Sequence, residues 1–225
     1  MEAQEDIILK KLLTKSVIKQ KIYDNTYLIF KQLKECSKEI TCDIKKGLNT
    51  KKVGLVFDFT EKGEFNAELK FAGDMLIMSM HTNIFQFPRA HNIMKTSYVM
   101  EDPMRSYCGV IHLYNFLADS FKYNRINDIG YLVARIFINK DLHYYVEGKQ
   151  QIGFLFNDFI NSTLDKNAIK KILGLAINYC IDFDLLMTPY DNIKEVSVEE
   201  LQENTNNMNI KTGKRLGFQF QADIT

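Results

Sequence analysis

GYLVARIFINKDLHYYVEG, residues 130–148, is the stretch on which the fold turns. Two runs rich in Val, Ile, Phe and Tyr flank Asn139, Lys140 and Asp141. Short β-prone runs on either side of a polar turn spell an antiparallel hairpin. In the first run Val133 and Phe137 alternate with Leu132, Ala134, Ile136 and Ile138, so apolar side chains point to both sides of the strand. A strand of that kind needs cover on each face.

Upstream, the same period of two recurs. In KVGLVFDF, Leu55, Phe57 and Phe59 alternate with Val56 and Asp58; after EKGE, Phe65, Ala67, Leu69 and Phe71 alternate with Asn66, Glu68 and Lys70. This predicts a second hairpin with Leu55, Phe57, Leu69 and Phe71 in the core and Asp58, Glu68 and Lys70 solvated. Ala72-Gly73-Asp74 then turns the chain into MLIMSMHTNIFQF, a strand apolar on both faces, and CGVIHLYNF from Cys108 reads as another. QIGFLF, after Glu147-Gly148-Lys149, is expected to add one more.

Helices bracket this meander. Ile18, Ile22, Ile29, Leu33, Cys36 and Ile40 recur at three-, four- and seven-residue steps over residues 16–46, one face of a helix. Gly47 is the expected stop, Asp24-Asn25-Thr26 a point of interruption, and residues 7–13 a shorter helix in front. Asp165 caps a last long helix striped by Ile169, Ile172, Leu173, Ala176 and Cys180, and Ser197 opens a capping box. Helices, then strands, then helices predict an α+β fold: an antiparallel meander of six to seven strands against long N- and C-terminal helices. One domain over 1–203 is expected, with 204–225 a polar loop and an arm or edge strand.

Composition narrows the function classes. Among 225 residues, 29 Lys and Arg face 28 Asp and Glu, for a net charge of +1. That balance argues against a chain devoted to gripping a nucleic-acid backbone. Cys36, Cys42, Cys108 and Cys180 form no CxxC pair, so neither a disulfide framework nor a zinc site is expected. The opening MEAQEDIILKKLL is acidic and then amphipathic, unlike a signal peptide. No apolar run approaches the roughly 18 residues that cross a bilayer, and a reduced cytoplasmic setting is expected. No cofactor motif appears.

Chemistry-bearing patterns are few. Asp58 followed by Glu68-Leu69-Lys70 resembles the acidic residue and E-x-K of metal-dependent nucleases, whose carboxylates hold magnesium while the lysine positions water. The simpler reading is the wet face of an amphipathic hairpin. His81, His91, His112 and His143 form no ligand pair, and Cys108 beside Arg105 and Tyr107 is a candidate thiolate. Residues 87–107 join two strands over a length that compact domains reserve for functional loops. The knot at residues 123–128 holds Tyr123 and Arg125 among turn-forming Asn and Asp.

Together these segments supply the expected ligand set: Arg89, His91, Tyr98, Arg105, Tyr107, Tyr123 and Arg125, suited to an anionic or planar small ligand. That set requires the two segments to be neighbours in space. The expected class is thus a non-enzymatic binding or interaction module with a small anionic ligand or protein partner, and the alternative is a nuclease-like hydrolase. Two-sided strands and the stripe of Ile18, Ile22, Ile29 and Leu33 also predict a homodimer.

Overall fold

The computed structural model describes residues 4–185, 187, 189–192, 194–199 and 202; the arm expected at 204–225 lies outside them. The chain opens with α1 (Gln4–Lys11), passes through a π-helical turn (Leu12–Ser16) and continues as α2 (Val17–Thr50). Strands β1 (Phe57–Glu61), β2 (Asn66–Phe71) and β3 (Asp74–Met80) follow, then a two-residue β4 (Phe85–Gln86). Helix α3 (Ser97–Glu101) lies between two 3-10 turns before β5 (Tyr107–Leu117). After α4 (Ala118–Lys122) come β6 (Tyr131–Ile138), β7 (Tyr144–Gly148), α5 (Gln151–Leu155) and α6 (Lys166–Ile181). The fold is α+β.

The sheet order is β1-β2-β3-β5-β6-β7, antiparallel throughout, with β4 pairing the start of β5. Both hairpins read from the sequence are present. One face carries Phe57, Leu69, Leu76, Met78, Ile111, Leu113, Ile136 and Val146, all buried against α2 and α6. Covering this face are Ile22, Ile29, Phe30 and Leu33 of α2 and Ile169, Ile172, Leu173 and Ala176 of α6. Asp165 caps α6, its Oδ1 accepting from the Ala168 amide at 2.7 Å. The stripe offered above for a dimer is therefore used within the chain.

Several expectations fail for local reasons. The polar Asp24-Asn25-Thr26 does not break α2. The Thr26 hydroxyl donates back to the Ile22 carbonyl at 2.7 Å, and the Asn25 amide donates to the carbonyls of Asn139 and Lys140 at 3.1 and 3.0 Å. Helix and hairpin are tied there. The crossing is close: a Cβ on Gly109 would fall 2.0 Å from Thr26 Oγ1. Gly47 does not end the helix either, which runs to Thr50 and leaves through Lys52 at φ 54°.

Leu55 precedes β1 and is exposed, whereas Phe57, Leu69 and Phe71 are core as expected. The β5–β6 register shifts between Leu113 and Tyr114, so strict alternation along β6 breaks and Val133 joins the helix-side core. QIGFLF is no strand. Gln150 reverses the chain at φ 47°, and α5 buries only Ile152. A short apolar run cannot be assigned to strand or helix by period alone. Val198, Glu199 and Gln202 are helical, in line with the Ser197 box.

Candidate functional site

The second face of the sheet decides where a ligand could sit. Cross-strand pairing places Asn66, Ser79, His112, Arg135 and Glu147 in one row across β2, β3, β5, β6 and β7. The next row toward the start of β5 is Val110, Phe137 and Tyr145. Over that apolar row folds the segment after β3. Phe87 packs against Phe137, Tyr145 and Phe159 with centroids 4.9 to 6.2 Å apart, and Ile93, Tyr98 and Val99 complete a second small core. The 87–107 segment is thus a structural cover.

The cover stops short of the polar row and leaves a cleft of about 450 Å³. Cys108, Val110 and Phe137 form its base, and His81, Phe85, Phe87 and Pro88 one wall. His91, His112, Arg135 and Glu147 supply its polar groups. Apolar walls around a few convergent polar groups, in a volume of this order, are the usual form of a small-molecule site.

Each polar group is held. Arg135 forms an ion pair with Glu147 through Nη2, while its Nε has no acceptor. His91 accepts the Ile93 amide on Nδ1 at 3.3 Å and stacks on Phe87 at 4.7 Å. Its neutral form therefore carries the proton on Nε2, which lies 3.6 Å from Glu147 Oε1. His81 accepts the Asn83 amide at 3.0 Å and meets Phe85 edge-on. Burial lowers the pKa of half-buried His112, and the neighbouring Arg135 and His81 lower it further. The cleft floor is a place where added positive charge is resisted. An anion reverses that sign.

The residues picked from the sequence disperse. His91 lines the cleft, and Arg89 is exposed at its rim between Pro88 and His91. Tyr98 and Arg105 belong to a filled polar corner instead. The Tyr98 ring is stacked between the Arg105 guanidinium, 4.2 Å from its centroid, and the His143 imidazole at 4.8 Å. Its hydroxyl donates to Asp141 and accepts from Asn139, both at 3.0 Å, while Arg105 donates to the Tyr98 carbonyl at 2.8 Å. Tyr107 lies under Lys15 and Lys19, with Nζ 5.4 and 5.7 Å from its ring centroid.

Tyr123 and Arg125 lie at the other end of β5. Eleven strand residues separate the two segments, a rise of roughly 35 Å, so they share no small ligand. Arg125 is buried among Asp119, Asp128 and the Tyr123 ring, and Ser120 donates to Asp128 at 2.7 Å. The knot is a self-contained turn.

Asp58, Glu68 and Lys70 do share one face: Asp58 pairs across from Lys70 and Thr60 from Glu68. The two carboxylates are engaged locally, Asp58 with Lys45 and Glu68 with Lys62 at 3.5 Å. Among the described residues no group of three His, Cys, Asp or Glu is placed to hold a metal ion. Cys108 is fully buried, which pushes its thiol well up and keeps it protonated, so it is no activated nucleophile.

Arg135 and Glu147 were not singled out by sequence reasoning. The one signal for them is a lone charge in each of two facing apolar strands, and it becomes a site only when register sets the charges side by side. Compared with known proteins, the chain matches no family model, no curated protein and no solved structure.

Proposed function

We propose that this protein is a non-catalytic binding module whose open-face cleft takes a small planar anion. The observation that carries this reading is the meeting of Arg135 and His112 beside an aromatic wall of Phe85 and Phe87, over a base that includes Phe137. A planar ring packs in the cleft against that wall, and its anionic group meets the Arg135 guanidinium and the His112 imidazole. Glu147 holds the guanidinium in place through Nη2. Four free cysteines, three of them buried, support a reducing, intracellular setting. Among the described residues, no helix is long and apolar enough to cross a membrane.

Calorimetric titration with three probes tests this: benzoate, indole-3-carboxylate and naphthalene-2-sulfonate. At least one should bind with one-to-one stoichiometry. Arg135→Met, which keeps the apolar stem, should weaken that binding by about tenfold or more, the usual contribution of a charge-assisted hydrogen bond. Failure of all three at millimolar concentration, or binding indifferent to Arg135→Met, would contradict the proposal.

A further inference from the structure

The N-terminal stretch before Ile22 is a part of the long helix that the described residues leave uncovered. Neither α1 nor the π turn buries a residue, yet the stretch carries Ile7, Ile8, Leu9, Leu12, Leu13 and Val17, all exposed. Leu9, Leu13 and Val17 are spaced by fours and are 54, 64 and 55% exposed. In a regular α-helix a four-residue step overshoots one turn by about 40°. The wider π turn over Leu12–Ser16 offsets that drift and brings the three into line. Lys15 and Lys19 reach the body at Tyr107, and Leu13 and Val17, two residues from them, point to the opposite side. The stripe therefore faces away from its own domain.

We infer that this stripe pairs with the same stripe of a second copy, antiparallel, about a two-fold axis at Leu13. Such an axis sets Leu9 against Val17 of the other copy and Leu13 against its own counterpart. The charges select this direction. Acidic Glu5 and Asp6 begin the helix, and Lys21 is the exposed basic residue on the flank of the stripe one turn beyond Val17. Antiparallel pairing sets Glu5 opposite Lys21 of the partner copy, whereas parallel pairing stacks acid on acid and base on base. Three apolar layers are a small interface, so the association is weak and concentration-dependent.

Sedimentation of the full chain across the micromolar range should show a monomer passing to a dimer. Leu13→Glu sets two like charges at the axis and should leave a monomer with an unchanged melting temperature, because Leu13 makes no buried contact. Orientation is read by cross-linking in a Cys42→Ser background, which removes the exposed native thiol. A mixture of Leu9→Cys and Val17→Cys chains should form a disulfide-linked dimer on mild oxidation, and Leu9→Cys alone should not. A monomer at every concentration, a dimer unmoved by Leu13→Glu, or self-cross-linking of Leu9→Cys would overturn the inference. So would a monomer that pellets with phosphatidylserine vesicles through this helix.

Discussion

Arg105 and Arg135 both stand beside carboxylates and aromatic rings, and of the two only Arg135 opens onto a cleft. Arg105 faces Glu101 and Asp141 and lies on the Tyr98 ring; Arg135 faces Glu147 and lies near the Phe137 ring. At the first, the chain packs more of the surroundings, leaving the side chain 25% exposed against 42% for Arg135. His143 closes the far face of Tyr98, Asn139 donates to the Tyr98 hydroxyl, and Lys140 pairs with Asp102. At the second, the cover ends at His91 and Phe87, and the cleft begins. Equal chemistry becomes a lock in one place and a site in the other, because packing decides which polar groups keep an open side.

Removing a part of the lock should unfold the protein more readily, whereas removing a part of the cleft should not. Asn139→Ala is the strongest blow. Fully buried Asn139 accepts the amides of Asp141 and His143 at 2.9 and 3.0 Å and donates to Tyr98, so its loss leaves two part-buried amides and the Tyr98 hydroxyl without that partner. Urea denaturation should show a loss of roughly 2–4 kcal/mol. Tyr98→Phe comes next, at about 1–2 kcal/mol near neutral pH.

That second variant also carries a pH signature. Burial, reinforced by Asp141 and opposed by Asn139 and Arg105, raises the Tyr98 phenol from 10.0 to about 12. A raised folded-state value means that the stabilisation is complete below the unfolded value and is lost as pH climbs through the folded one. The stability gap between wild type and Tyr98→Phe should therefore narrow between about pH 10 and pH 12. A gap constant over that window would show that the phenol is not sealed in the corner. Arg135→Met, by contrast, should change stability by no more than about 1 kcal/mol, since its side chain is 42% exposed. A larger loss would make the cleft a second lock.

The two clusters also show how far the sequence reaches. Period-two runs around Gly- and Asn-containing turns gave the strand directions, and three- and four-residue steps gave α2 and α6, because these patterns report burial directly. The Asn139 turn was visible, but its five-residue span was not: Asn139 Oδ1 gathers the amides of Asp141 and His143 and lengthens the loop. Arg105 drew attention because it sits in a long polar segment, the kind of segment that hides a filled corner as readily as a site. Arg135 is the lone charge in YLVARIFI, a mark that says nothing of what it faces. Only pairing across three strands puts it between His112 and Glu147. Contacts of that kind are set by register, which one sequence does not print. The separation of Arg105 from Arg125 by the length of β5 was hidden for the same reason.

The most direct test of the cleft follows its histidine. In a proton-carbon NMR titration of the four ring Cε1–H signals, assigned by His→Gln variants, His112 should titrate below the ordinary histidine value of 6.5 in the free protein. Saturation with naphthalene-2-sulfonate should raise it, because an anion beside Arg135 favours the protonated ring, and probe affinity should grow as pH falls through that range. His143, stacked on Tyr98 in the closed corner, should not respond. A His112 titration unmoved by saturating probe, or one matched by an equal shift at His143, would contradict an anion seated at Arg135.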